Sequence, residues 1–418
     1  MPWGSTGRLM HNRDYVVLLS SQTVSSLGSA MSAFVFTLLA VDVTGSPAQA
    51  GLVGSAYALG AALTSLPAGA LVDRWNRKTI LVCCAAGGAV LYGSVAAALA
   101  LDHLTLAHLV VVGLGSGLSR AFFLPAQNAA LRAIVAPHDM GAAMSANEGR
   151  EHFASLVGAP LAGALYSVSR VVPVLADAVS YVVLTVATLT LRASLAAPSG
   201  SAKPPVLASI REGVRWVLAQ PAIRAIAFSA TVLNFCANAI MLVLIVHLQR
   251  IGTRAPVIGL LETGIGVGGL LGALAAAPLI ARLTTGRIAV LAVWVITVCF
   301  ALTALTTAPA ALVVLLAGAI FFVPSFNAGL FGYQVLVTPD DMQGRAQSAI
   351  GFLATATSPL APIAGGLLLQ NSGLRAAVLV LCVPLVLAGL NITLSAAIRA
   401  IPLLSQVTAH QAQDRVPG

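Results

Sequence analysis

From residue 14 onward the chain alternates long apolar runs with short polar or Pro/Gly-containing breaks. The runs fall at about 14–41, 48–71, 79–100, 106–131, 143–168, 172–195, 221–247, 256–281, 287–307, 309–335, 346–370 and 375–398. A helix needs ~20 apolar residues to cross a ~30 Å hydrocarbon layer, so the pattern predicts twelve membrane-spanning helices. The longest polar interruption, residues 196–220, opens as APSGSAKPP and continues as VLASIREGVRWVLAQ. It predicts a linker with a short amphipathic helix between an amino-terminal half, 1–195, and a carboxy-terminal half, 221–398, followed by a tail, 399–418.

Composition agrees with that pattern. Only 8% of residues are charged, against about 25% in an ordinary globular domain, and the fold class is therefore all-α integral membrane. The 38 glycines and 21 prolines do not argue against helix, because both residues are frequent in membrane helices, where small side chains let backbones approach. The net charge of +9 would suggest nucleic acid if the cations were clustered, but sixteen of the 22 lie at alternate helix ends that share one membrane side. Four lie at the other ends (Arg170, Arg250, Arg254 and Arg375), while Arg120 and Arg150 lie within spans. This is the positive-inside bias. It predicts two cytoplasmic termini and no nucleic-acid partner.

Arginine outnumbers lysine twenty to two in an Ala/Gly/Val-rich chain, which points to a GC-rich bacterial genome and a bacterial cytoplasmic membrane. The five cysteines sit in apolar runs without metal-ligand spacing and read as small hydrophobes. The basic start before residue 14 reads as the flank of a retained first helix, since the run after it is longer than a signal-peptide core.

The two halves repeat. A shift of 208 superposes Gly51 on Gly259, Gly60 on Gly268 and Arg74 on Arg282; a shift of 199 superposes Phe122-Phe123-Leu-Pro125 on Phe321-Phe322-Val-Pro324 and Asn128 on Asn327. A shift of 202 matches Pro160 with Pro362 and Gly163 with Gly365. Parallel six-helix repeats are one of the known plans for secondary transporters, with the substrate bound near the bilayer midplane between the repeats.

Between the second and third runs stands Gly69-Ala-Leu-Val-Asp73-Arg74-Trp-Asn-Arg77-Lys78, with four charges in six positions. This segment resembles the loop 2–3 signature of the major facilitator superfamily, G-x-L-x-D-R-x-G-R-[RK]. The resemblance implies a cytoplasmic gate at Gly69, Asp73, Arg74, Arg77 and Lys78, in which the aspartate caps a neighbouring helix and the arginines join a charge lock. Asn76 replaces the usual glycine, and asparagine accepts the left-handed conformation better than most residues. The alternative is a solvated basic loop that only fixes topology. REGVRWVLAQPAIR (211–224), Phe122-Phe123-Leu-Pro125-Ala126 and Asp177-Ala-Val-Ser180-Tyr181 resemble the third drug:proton antiporter family, the macrolide-efflux-like proteins. Span five departs from the antiporter pattern G-P-x-x-G-G, with Ala159-Pro160-Leu-Ala-Gly163 in its place.

Ionisable groups inside spans cost at least ~2.5 kcal/mol on insertion scales and are functional candidates by default. Glu148, Glu151, His152 and Ser155 recur at helical spacing and form one polar stripe, from which Arg150 is displaced. Counting ~1.5 Å per residue brings Arg120 of span four and Glu148 of span five to one depth, which predicts an Arg120–Glu148 pair. Glu151 is then the leading proton carrier, because a carboxylate at that depth can exchange a proton as its surroundings change between wet and dry, and His152 can share it. A purely structural ion-pair cluster is the alternative. Asp177 is expected to cap or pack, and Glu262 to face a cationic substrate. The Gly-rich run 264–272 lacks a phosphate-loop ending and is assigned to helix packing.

No cofactor, metal or enzymatic motif is present, and the chain is read as a monomer whose partners are a small-molecule substrate, protons and lipid. The reading is a proton-coupled exporter of amphipathic small molecules such as antibiotics, working by alternating access. Siderophore or other metabolite export, solute import, and a non-transporting sensor or scaffold are the alternatives.

Overall fold

The computed structural model describes residues 9–72, 75–195, 206–339 and 342–399. Asp73 and Arg74, the start of the linker at 196–205 and the tail from 400 lie outside the described residues. All regular structure within them is helical. The first six helices are α1 (Arg13–Thr44), α2 (Pro47–Val72), α3 (Arg77–Ala100), α4 (Leu106–Ile134), α5 (Met140–Val168) and α6 (Val171–Leu189). The linker helix is α7 (Val206–Ala219). The remainder comprises α8 (Pro221–Arg250), α9 (Ala255–Arg282), α10 (Thr285–Thr303), α11 (Pro309–Ile320), α12 (Val323–Val337), α13 (Gln343–Thr355), α14 (Ala361–Leu394) and the short α15 (Ala396–Arg399).

The first nine predicted runs each correspond to one helix, and the last three are divided differently. The tenth is interrupted at Phe321-Phe322, ahead of Pro324. The eleventh breaks between Thr355 and Ala361, where Pro359 and Pro362 deny the backbone two donors. α14 is 34 residues long, which is ~51 Å at 1.5 Å per residue and too long for one crossing. It breaks at Gly373, where φ is 74° and ψ 177°, a backbone state essentially closed to residues with a Cβ. The end of the eleventh run and the whole of the twelfth therefore share this element.

Helix ends follow local chemistry. Asn12 caps α1 by accepting from the Tyr15 N–H at 3.2 Å, and Thr105 caps α4 through the His108 N–H at 3.3 Å. α1 stops at Gly45, whose left-handed backbone (φ 64°) sends its N–H back to the Val41 carbonyl.

The chain forms two compact units, Met1–Lys203 with Ile245–Thr263, and Pro204–Leu244 with Gly264–Gly418. In the first, α2 packs on α4, α3 on α6 and α4, and α1 on α5 and α6. In the second, α10 packs on α11 and α14, and the linker helix α7 packs on α13. The sequence repeat has a packing meaning. A Cβ at Gly60 would collide with the Leu114 carbonyl on α4, and one at Gly268 with the Ala317 carbonyl on α11. Gly264 and Gly272 meet the Val313 and Phe321 carbonyls in the same way, so the Gly-rich run is the close-packed face of α9 on its neighbour.

Candidate functional site

The strongest polar cluster inside the first unit gathers on α1, α4 and α5. Arg150 is nearly closed off, with 3% of its side chain exposed. Its Nη1 donates to Ser26 Oγ at 2.8 Å, and its Nη2 donates to Asn147 Oδ1 at 2.9 Å and to Glu151 Oε1 at 2.7 Å. Ser26 Oγ also donates to Glu151 Oε1 at 3.3 Å, and Gln127 Nε2 donates to Asn147 Oδ1 at 2.8 Å. Arg150 Nε has no partner among the described residues. Glu151, by contrast, keeps 41% of its side chain exposed. The cluster thus places a buried cation beside a half-open anion, ~16 Å along α5 from its first residue.

This corrects the expected pairing. No ion pair joins Arg120 to Glu148 among the described residues; Arg150 holds the intramembrane ion pair, with its chain neighbour Glu151. Glu148 is exposed and acts on Arg150 only through its charge. Arg120 is exposed and lies within electrostatic range of Tyr57 and Tyr181. His152 is exposed, with no hydrogen bond among the described residues. Ser26 and Asn147 are members of the site that the stripe on span five did not single out, although the serine-rich run of span one was the available signal.

Asp177 belongs to a separate cluster on α6. It is fully buried, and Ser180 Oγ donates to its Oδ1 at 3.1 Å. A Cβ at Gly28 of α1 would collide with that carboxylate. Ser32 lies near enough to interact with it, yet Asp177 Oδ2 and Ser32 Oγ make no well-formed hydrogen bond. One turn on, Tyr181 meets Ser29 at 3.0 Å and stacks on Tyr92, with ring centroids 5.6 Å apart. The arrangement fastens α1, α3 and α6 together.

Glu262 is reached through the seam between α5 and α9. A Cβ at Gly163 would fall 2.5 Å from the Ala255 carbonyl oxygen, and one at Gly259 would fall 2.5 Å from that of Ala159. Thr263 Oγ1 donates to the Leu156 carbonyl at 3.3 Å. These three contacts fix an antiparallel register that sets Glu262 level with Leu156, ~8 Å along α5 from Glu151. Glu262 is half-buried and makes no ion pair among the described residues. Gly163 and Ala159-Pro160 are thus the α5 side of a close backbone approach, for which Gly163 and Gly259 supply the space.

At the basic end, Gly69 lies in α2, while Asp73 and Arg74 lie outside the described residues. Asn76 is extended (φ −64°, ψ 117°), not left-handed, because it serves as the N-cap of α3 and accepts from the Lys78 N–H at 2.9 Å. Lys78 Nζ donates to the carbonyls of Leu189 and Leu191 at 2.9 and 2.8 Å, and the Arg77 N–H donates to the Leu195 carbonyl at 3.1 Å. Lysine satisfies the open carbonyls at the end of α6, where a cation also suits the helix dipole. A largely apolar cleft of about 540 Å³ lies beside the loop, walled by Trp75, Ile80, Cys83 and Phe122 among others. None of the intramembrane charges lines it.

The model of the Major Facilitator Superfamily matches residues 18–352 and 227–412. The chain belongs to the Major Facilitator Superfamily. This facilitator is accordingly a membrane transporter, not an enzyme. Over 403 residues it is 26% identical to the multidrug efflux pump Tap of Mycolicibacterium fortuitum, covering 94% of this chain and 98% of the relative. Among solved structures, a bacterial homologue of the human lysosomal transporter Spinster gives a TM-score of 0.72 at 16% identity, over 93% of this chain and 98% of that one. A bacterial homologue of the iron transporter ferroportin gives 0.71 at 16% identity, over 92% and 98%. The nucleoside transporter NupG gives 0.69 at 16% identity, over 92% and 99%. These neighbours share the facilitator fold.

Proposed function

We propose that this facilitator exports amphipathic small molecules, antibiotics among them, in exchange for protons, as a monomer in a bacterial cytoplasmic membrane with both termini inside. The observation that carries the reading is the half-open Glu151 carboxylate, 2.7 Å from a buried guanidinium. A proton arriving on Glu151 cancels its pull on Arg150, leaving the cation hydrogen-bonded only to neutral Ser26 and Asn147, with the Glu148 charge acting from farther off. The free-energy balance between α1, α4 and α5 then shifts, and protonation is linked to movement. Glu262 receives the cationic end of the substrate. Gly69, Asp73, Arg74, Arg77 and Lys78 form the cytoplasmic gate. Export is supported by the length-matched likeness to a multidrug efflux pump.

The test is proton-driven uptake into inverted vesicles. Glu151→Gln is expected to abolish uptake driven by a proton gradient while substrate exchange without a gradient continues. Full gradient-driven uptake by this variant removes Glu151 from the coupling role. In the same vesicles Asp73→Asn should bind substrate and turn over slowly, and normal turnover removes the gate.

A further inference from the structure

At the end of the first unit remote from the loop at Asn76–Lys78, one carboxylate gathers three partners. Asp42 stands in the last turn of α1 and keeps 21% of its side chain exposed. Its Oδ2 accepts from Tyr166 Oη at 2.5 Å and pairs with Arg170 Nε at 3.3 Å. Its Oδ1 accepts from Gln249 Nε2 at 2.8 Å, and the same amide nitrogen donates to the Leu38 carbonyl at 2.9 Å. Tyr166 and Arg170 come from α5 and the turn after it, so they belong with Asp42 to the first six helices. Gln249 does not. It comes from the last turns of α8, which follows the linker, although Ile245–Thr263 packs within the first unit.

The two oxygens therefore have different roles. Oδ2 is clamped by an ion pair and a phenol from the same half of the chain. Oδ1 reaches the amino-terminal part of the chain's second half. Along the same seam, among the described residues, lie the Gly163 and Gly259 backbone approaches and the Thr263–Leu156 bond, none of which involves a charge. We infer that Asp42 is a gating residue: the Gln249–Asp42 hydrogen bond latches the outer side of the transporter and breaks when the outer ends of α8 and α9 leave α1 and α5. The inference rests on alternating access with the basic end inside; it does not rest on proton coupling or on the identity of the cargo. Because the amide is neutral and the carboxylate reaches the surface, water can replace the bond, which suits a contact that opens in every cycle. A hydrogen bond to a charged group biases an equilibrium by about tenfold or more.

The test places spin labels at Val43→Cys and Ile251→Cys, both exposed positions, in the full chain with its five native cysteines replaced by alanine and reconstituted in nanodiscs. Pulsed dipolar spectroscopy reads the populations of short and long separations. Asp42→Ala is expected to raise the ratio of long to short separations about tenfold, Gln249→Ala is expected to do the same, and the double variant is expected to go no further. Gln249→Ala leaves the Tyr166–Asp42–Arg170 clamp in place, so it carries the test if Asp42→Ala does not fold. Unchanged separations in Gln249→Ala, or effects that multiply in the double variant, overturn the latch. Proteoliposome flux of the unsubstituted protein separates the readings: no proton-driven export by that protein, together with a shifted distance distribution in Gln249→Ala, condemns the export reading and keeps the latch.

Discussion

Two substitutions that break the same ion pair are expected to have unequal costs. Arg150 is 3% exposed and Glu151 41% exposed. Glu151→Gln leaves the guanidinium buried without its paired anion, and orphaning a buried charge costs about 3–5 kcal/mol. Glutamine can still accept one hydrogen bond, and the Glu148 charge still acts on Arg150, which places the cost near the lower end, at about 3 kcal/mol. Arg150→Met instead leaves a carboxylate that turns to water, and Asn147 keeps its bond from Gln127. Its cost is about 1 kcal/mol, the size of a net neutral hydrogen bond. The difference of about 2 kcal/mol is roughly thirtyfold in an equilibrium constant. Reversible unfolding by sodium dodecyl sulfate in mixed micelles measures both, and Arg150→Met/Glu151→Gln should lie close to Arg150→Met alone. If Arg150→Met costs as much as Glu151→Gln, burial is not what sets the cost and the account of the cluster fails. On the coupling proposed for Glu151, the same asymmetry sets its scale: neutralising Glu151 by a proton imposes a cost of similar size on the cluster.

Further outcomes follow from other contacts. Lys78→Ala removes two charge-assisted bonds to the α6 carbonyls and should lower stability by about 2 kcal/mol in the same micelle titration; a change within experimental error would show that water replaces the ammonium. Gly259→Leu forces a side chain against the Ala159 carbonyl. Proteoliposome flux should vanish while the protein still elutes as a single species, and wild-type flux would mean that the seam is loose. The Glu212–Arg345 pair, 2.7 Å long but 55% and 33% exposed, fastens α7 to α13 at the surface. Glu212→Gln should cost no more than ~1 kcal/mol, and a loss of several kcal/mol would show that the linker helix depends on that charge.

The sequence by itself determined the class and the succession of long apolar helices, and it carries the repeat. A bilayer leaves a chain few options: backbone groups must be satisfied within each segment and the segment must be long enough, so apolar run length alone gives the helices. Repeated glycines were legible for a related reason, since a close backbone approach tolerates no side chain, and Gly60 and Gly268 each meet a carbonyl of the helix packed against them. Depth along a helix can be counted from residue numbers at ~1.5 Å per residue. Azimuth cannot. Arg120 and Glu148 count to one depth, but whether they face each other depends on how each helix is rotated by its packing. Arg150 and Glu151 point ~100° apart on an ideal helix, and only the placement of α1, with Ser26 between their heads, brings them together. Asp42 is silent in the sequence for the same reason: a lone acid at a helix end says nothing until Tyr166 and Arg170 from one stretch of chain and Gln249 from another arrive beside it. Sequence fixes which groups occupy each level of the membrane, and tertiary packing decides which of them can touch.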